Sequence, residues 1–379
     1  MITSLYLKNF KCFETLENKI FFKQITLLTG SNGRGKSSIF QSLLLLGQSF
    51  KSGRNIDFVK INGRFVRLGS FEDILFHGSS EQKIEIGFTT DDEDENDALL
   101  VCGPKNDNPR VADLLNLRIK YKDGREQELV NAVGSDDESD ESITSKFATS
   151  AIKAINQLRN IYFISADRQG PQNYVTRSED IVKENIGIHG EYVIHSLKDN
   201  ETQLLSKVKE AVSSIMGGAS IEVKDIDTEY IKLLLDSTDG EDGYKPVNVG
   251  FGYSYILPIV ILPLVVYSGS KIFIENPEAH LHPGAQSRLM KYLIRTAKER
   301  NLQLFIETHS DHIVNSLRIA IKGQDYSIDN RQATIVHVGR DSTYNKSTFW
   351  QINIDRDGNL SDYPDDFMDE WTKQMVELL

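Results

Sequence analysis

Cysteine is nearly absent: the 379 residues contain only Cys12 and Cys102. Two thiols provide neither the framework of a disulfide-stapled fold nor a cysteine-rich metal site. A long apolar run is also missing. The most apolar stretch, YSYILPIVILPLVVY from Tyr253 to Tyr267, is shorter than the ~20 residues of a spanning helix and contains Pro258 and Pro263, so it reads as a buried core helix. The opening MITSLYLKNFKCF intersperses lysines among short apolar runs, which argues against a secretory signal. Positive charge is in deficit, with 43 Lys+Arg against 55 Asp+Glu and a formal net charge of −12. That balance excludes a globally basic nucleic-acid-binding surface and leaves room only for a local basic groove. No internal repeat is visible. These absences together lead to the expectation of a cytoplasmic chain with no membrane partner.

What is present is enough chain for a large core, in one elaborate domain or two. Short strand-like runs come first: LYLKNF, ITLLTG, RFVRLGSF and KIEIGF. Among them SSIFQSLLLLGQSF has helical spacing, with Ile39, Phe40, Leu43 and Leu44 on one face. Two blocks of like charge follow, DDEDEND from Asp91 to Asp97 and SDDESDES from Ser135 to Ser142, which repel themselves and read as solvated loops or as an acidic arm for a basic partner. A strand-like NLRIKY lies between them. Then come helix-like KFATSAIKAINQLRN, strand-like IYFISADRQGP, helical ETQLLSKVKEAVSSIM and a hairpin pattern from Ser220 to Asp236. From Val247 onward an apolar helix is followed by strand KIFIE, helix GAQSRLMKYLIRTAKER and strand LQLFIE, an alternation that implies a largely parallel sheet covered on its faces. A small tail closes the chain with ATIVHVGR, STFWQINIDRDGNL and DFMDEWTKQMVELL.

The strongest motif is GSNGRGKSS, Gly30 to Ser38, which fits G-x-x-x-x-G-K-[ST] between a strand-like and a helical segment. Gly33 and Gly35 allow successive backbone N–H groups to curl around phosphate oxygens, with a helix N-terminus behind them. Lys36 then reaches the β- and γ-phosphates, and the Ser37 hydroxyl reaches Mg²⁺. Asn32, Arg34 and Ser38 complete the set of candidate nucleotide-binding residues, Arg34 either as a contact to a second copy or as an exposed side chain.

LYLKNFKCFETL, the phosphate loop, ISADRQGP, VGFGYS, IENPEAHLHPGAQS, IETHSD and INIDRDGNLSDYPDDFMDEW together resemble the ABC-type ATPases of the SMC, RecF and OLD-like group. The succession is most similar to a compact bacterial subgroup with a C-terminal domain of unknown function, sometimes found in phage-defence operons. The resemblance covers nearly the whole chain except residues 91–145. It implies an α/β fold: an ABC-type P-loop ATPase head with a mixed sheet, helices on both faces, a helical lobe and a small C-terminal tail. The implied divisions are an N-terminal ATPase lobe over 1–90, an acidic insertion over 91–145, a helical and β lobe over 146–246, a C-terminal ATPase half over 247–330 and a tail over 331–379.

The same resemblance implies ATP and Mg²⁺ as cofactors, a homodimer or higher oligomer that sandwiches ATP between heads, an effector protein as partner, and possible DNA binding. It assigns NVGFGYS to the signature loop, with Gly250 and Gly252 approaching the γ-phosphate and Ser254 offering a hydroxyl. This departs from the familiar Leu-Ser-Gly-Gly-Gln. Glu275 falls on the magnesium position, where Asp is usual, and Asn276 on the catalytic position, where Glu is usual. Since an amide cannot take a proton, Asn276 implies slow hydrolysis in which it orients water, with His309 as the switch histidine and Glu278 as a possible substitute base. Glu307 and Asp311 would orient the switch loop.

Three other readings stay open. The first is an ATP-bound scaffold or sensor without hydrolysis. The second is a transition-metal site built from Glu275, Glu278, His280, His282, Glu307, His309 and His312. The third is OLD-like metal-dependent nuclease chemistry at Asp355 and Asp357, although the residues after His309 are too few for the required domain, and a hairpin turn explains Asp355, Asp357 and Gly358 better.

Overall fold

The computed structural model of this chain describes residues 1–49, 58–91, 97–130, 156–178, 185–199, 203–238, 243–341 and 346–378. Most of both acidic blocks, residues 92–96 and 135–142, and the first part of the helix expected from Lys146 to Asn160 lie outside the described residues. Two compact units are formed. One consists of Met1–Ile161, Thr334–Asn353 and Asp362–Leu379, the other of Tyr162–Ala333 and Ile354–Ser361.

In the first unit an eight-stranded sheet is organised around strand Ile2–Phe10, which pairs antiparallel with Phe13–Thr15, Ile20–Phe21 and Ile84–Thr90. The sheet continues through Asp97–Pro104 and Val111–Lys120 to Phe58–Lys60, with Glu126–Val130 also paired to Val111–Lys120. Residues 97–130 of the segment expected as an acidic insertion therefore supply strands of this sheet. The local reason is alternation: Ala98, Leu100 and Cys102 are buried on one side, while Asp97 at the start of the strand pairs with Lys19.

Helix Lys36–Ser49 lies in the same unit, and Ile39, Phe40, Leu43, Leu44, Leu45 and Leu46 are all buried. Its polar residue Gln48 is buried as well. The Gln48 Nε2 donates to Lys60 O at 2.8 Å, and its Oε1 accepts from Phe65 N at 3.1 Å and Val66 N at 3.0 Å. That side chain explains why RFVRLGSF does not form the expected strand. Two of its backbone donors, Phe65 N and Val66 N, go to this amide and Leu68 N goes to Ile61 O instead of a ladder. Only the bridge Asn62↔Arg67 forms among the described residues, and a short helix Phe71–Ile74 follows. Strand Ile25–Thr29, buried at every residue, lies beside Ala333–Arg340, which pairs antiparallel with Ser347–Asn353. The tail ends in helix Glu370–Glu377.

In the second unit strands Ile161–Ile164, Lys271–Glu275 and Gln303–Glu307 are neighbours in that order. The last two pair in parallel, with Glu275 opposite Glu307. Their apolar residues are fully buried, as expected for a parallel sheet covered on both faces. The covering helices are Phe251–Val265, Pro283–Glu299 and Asp311–Gly323. The Tyr292 hydroxyl ties two of them together by donating to Val260 O at 2.7 Å. A small antiparallel sheet of Tyr174–Thr176, Tyr230–Asp236 and Ser220–Asp225 packs with helices Val193–Asp199 and Gln203–Met216. Among the described residues no helix is long and apolar enough to cross a membrane.

Candidate functional site

The phosphate loop joins strand Ile25–Thr29 to helix Lys36–Ser49, and its Gly30, Gly33 and Gly35 all have positive φ. Gly35 is the position where space decides: a Cβ there would stand 2.6 Å from Cys12 Sγ and 2.9 Å from the Phe13 ring. At Gly33, by contrast, nothing lies within 4 Å of a Cβ position, so the outer side of the loop is open. Lys36 is 4% exposed, and its ammonium donates to Gly30 O at 2.8 Å and Ser31 O at 3.0 Å, folding the loop around the charge. Asn32 and Gly33 are exposed, Arg34 and Ser37 are half-buried, and Ser38 is buried beneath the loop, where its hydroxyl receives the Cys12 thiol at 3.8 Å. This concave, cation-bearing loop fits a nucleotide phosphate.

Sequence reasoning overlooked the support under the loop. Thr29 Oγ1 hydrogen-bonds His337 Nδ1 at 3.1 Å, and the His337 ring packs 5.3 Å from Phe367 of the tail. Burial pushes the His337 pKa below its ordinary 6.5, with the Asp365 backbone and the Asp366 carboxylate opposing that shift.

In the second unit the ends of three neighbouring strands gather the residues expected to serve Mg²⁺ and water. Glu275 Oε2 accepts from Ala166 N at 3.0 Å. Burial raises the Glu275 pKa above 4.5, against the Ala166 N–H and the Arg168 charge. Asn276 has φ 44, a left-handed conformation that Asn tolerates better than Glu. Its N–H donates to Glu307 O at 2.8 Å, while its Oδ1 is buried without a hydrogen-bond partner among the described residues. A desolvated carboxylate followed by an orphaned amide oxygen fits a hydrated divalent cation and its water shell.

Glu278, expected as a substitute base, is engaged by the neighbouring strand end. One oxygen accepts from His309 N at 2.7 Å and the other from Thr308 Oγ1 at 2.9 Å, so the carboxylate straps down the segment that carries the exposed His309. Ser310 caps helix Asp311–Gly323 by accepting from His312 N and Ile313 N. The expected signature residues begin helix Phe251–Val265, with Gly250 at its N-cap. A Cβ on Gly252 would stand 2.8 Å from His280 O, so this helix start rests directly on the loop after Glu278. Ser254 is 9% exposed and its Oγ has no partner among the described residues.

Arg168, which sequence reasoning assigned no role, ties this half together. It is 4% exposed and donates to Ser165 O, Glu275 O and Asn276 O at 3.1, 2.8 and 2.7 Å. Its guanidinium carbon stands 5.7 Å from the centre of the Tyr255 ring. Desolvation lowers its pKa to about 10, so the charge persists at neutral pH.

The transition-metal alternative is not assembled: among the described residues no three His, Cys, Asp or Glu side chains come together to hold an ion. Three of the seven candidates are directed elsewhere. His280 packs 4.5 Å from Tyr255, His282 caps its helix by accepting from Gly284 N, and Glu278 bonds the His309 segment. Asp355, the nuclease candidate, is used by a turn in which it accepts from Asp357 N and Asn359 N at 2.9 and 2.8 Å, with Gly358 at φ 78.

No curated protein matches the chain. Among solved structures it is similar to an SMC head bound to the C-winged helix domain of ScpA, with 16% identity, a TM-score of 0.54, and coverage of 93% of this chain and 97% of that one. It is also similar to an SMC head with an extended coiled coil bound to the C-terminal domain of ScpA derived from Pyrococcus furiosus, with 14% identity, a TM-score of 0.51, and coverage of 100% and 99%. At such identities the likeness establishes the fold, the mixed α/β architecture of an ABC-type ATPase head. Residues 328–378 match a family described as a protein of unknown function, DUF3696. Residues 1–314 match the family described as an AAA ATPase domain, and the chain belongs to that family.

Proposed function

We propose that this chain binds ATP·Mg²⁺ and hydrolyses it slowly, and that two heads closing around nucleotide switch a partner protein. The observation that carries this reading is Lys36, an almost fully buried ammonium curled into its own glycine loop. A γ-phosphate is the natural replacement for the two carbonyls it now holds. In this reading the loop from Asn32 to Ser38 binds phosphate, and Ser37 and Glu275 hold Mg²⁺, which when bound neutralises charge on the β- and γ-oxygens. Asn276 orients the attacking water through its amide, and His309 meets the γ-phosphate. Gly250, Gly252 and Ser254 are offered to the nucleotide of a second copy. Phosphoryl transfer depends chiefly on positioning and charge stabilisation, so an amide supports turnover at a reduced rate.

A second reading, an ATP-held scaffold without hydrolysis, is favoured by one observation: Asn276 offers no base, and both oxygens of the next carboxylate, Glu278, already accept hydrogen bonds. The SMC heads solved with ScpA domains support a protein partner for this fold. A setting in phage defence or DNA metabolism, and any contact with DNA, is proposed from the sequence resemblance alone.

Phosphate release with ATP·Mg²⁺, run with Lys36→Ala and with light scattering for mass, tests the choice. Slow turnover lost in Lys36→Ala is the expected result. ATP-driven dimerisation without phosphate release would establish the scaffold, and turnover unchanged in Lys36→Ala would overturn both readings.

A further inference from the structure

We infer that Arg168 is a positioning residue that aims Glu275 and Asn276 at the hydrated cation and registers them to the start of helix Phe251–Val265. This rests on the reading that the Glu275 turn serves Mg²⁺·ATP. The geometry is specific. In an extended strand consecutive carbonyls point to opposite sides, but Asn276 is left-handed at φ 44, and the carbonyls of Glu275 and Asn276 converge on one guanidinium. Asn276 O also accepts from Ala279 N at 3.1 Å, so the guanidinium adds a second donor to that carbonyl while bonding the Glu275 carbonyl from the same planar group.

A planar fork is needed for this. Nη1 spans Ser165 O and Glu275 O and Nη2 takes Asn276 O, so a single cation bonds the loops after two neighbouring strands. Ala166, two residues before Arg168, donates its N–H to the Glu275 carboxylate, so the same loop fixes both the backbone and the side chain of the magnesium position. The guanidinium carbon also stands 5.7 Å from the centre of the Tyr255 ring, which packs on His280, and a Cβ on Gly252 of the same helix would stand 2.8 Å from His280 O. Arg168 is thus the shared support of the candidate Mg²⁺ turn and the helix that carries Ser254.

The test compares wild type, Arg168→Ala and Arg168→Lys in three measurements: ATP binding without divalent metal, Mn²⁺ affinity of the ATP complex by electron paramagnetic resonance, and kcat and KM for ATP. Arg168→Ala is expected to bind metal-free ATP like wild type, because the phosphate loop is untouched. It should lose about 10- to 100-fold in Mn²⁺ affinity and in kcat, the usual effect of removing support behind a metal ligand, with KM little changed. Low-millimolar guanidinium should restore part of both losses in Arg168→Ala, and Arg168→Lys should keep the fold while recovering only a fraction, since an ammonium cannot reproduce the fork. Mn²⁺ affinity within about twofold of wild type in Arg168→Ala would overturn the inference. So would a loss of metal-free ATP binding and thermal stability that neither lysine nor guanidinium repairs, which marks a purely structural residue. If wild type shows no Lys36-dependent turnover, hydrolysis falls, while the Mn²⁺ comparison still decides the role of Arg168.

Discussion

Replacing Asn276 by Asp and by Glu separates backbone strain from chemistry. The sequence resemblance places Asn276 where related ATPases usually have Glu, and restoring Glu looks like a repair. The backbone argues otherwise, because φ is 44 at Asn276. A left-handed residue costs roughly 1–2 kcal/mol for most side chains, a penalty that Asn and Asp largely escape through local hydrogen bonds. Asn276→Glu should therefore lose about 1 kcal/mol, a melting shift of about 2 °C for a chain of this size. Asn276→Asp keeps the shape and the tolerated conformation but puts a carboxyl at a buried oxygen that has no hydrogen-bond partner among the described residues, beside Glu275. It should therefore melt below wild type at pH 9 and approach wild type toward pH 6 as the new carboxyl takes up a proton. Asp also supplies a proton acceptor, and a positioned base contributes about 10²–10⁴ in rate, so kcat should rise at least tenfold. Its charge lies beside the buried Glu275, so the gain should be greatest at alkaline pH, where both carboxyls are ionised. Steady-state phosphate release and thermal melts of the three proteins, from pH 6 to 9, measure this. If Asn276→Glu melts like wild type and Asn276→Asp turns over no faster, neither the strain argument nor the catalytic assignment survives.

Glu275→Gln should raise the melting temperature of the nucleotide-free protein at pH 7 while abolishing the added stabilisation by Mg²⁺ over ATP alone. The sign follows from burial, which raises the Glu275 pKa above 4.5: the folded state retains the proton longer than the unfolded state, so stability is full below 4.5 and is lost as pH rises through the raised value. The difference between the two proteins should shrink as pH approaches 4.5 in a melting series. Gly252→Ala places a methyl 2.8 Å from His280 O and should lower stability by about 1–3 kcal/mol and weaken ATP-driven dimerisation, read by melting and light scattering. Gly35→Ala meets Cys12 and Phe13 and should abolish ATP-induced thermal stabilisation, whereas the same change at open Gly33 should reduce it less. Asp355→Ala should leave plasmid DNA incubated with Mn²⁺ as intact as the wild-type protein does, because Asp355 serves its turn.

Much of the site was legible wherever chemistry depends on neighbours along the chain. The Gly30–Ser38 loop could be recognised because its glycines, lysine and helix are contiguous, and the buried apolar helix from Phe251 because its composition permits little else. RFVRLGSF was misread because strand propensity describes the segment alone, while Gln48, contributed by a helix, took two of its backbone donors. Glu278 shows the same limit of local reading. Its place two residues after Asn276 suggested a base, and only the adjacent strand end revealed that Thr308 and His309 hold both its oxygens.

The sequence by itself determined the phosphate-loop motif and the alternation of strand and helix after Val247, because each is a pattern within consecutive residues, and it carried the Glu275-Asn276 run that a family resemblance places at the magnesium and catalytic positions. Tertiary structure alone decided that Asn276 is left-handed, that Arg168 clamps its carbonyl, that His337 sits beneath the phosphate loop and that Gly252 has no room for a methyl. Those facts depend on burial and on hydrogen bonds between groups distant in the chain, whose energies are set by which desolvated donor meets which acceptor once the sheets have formed.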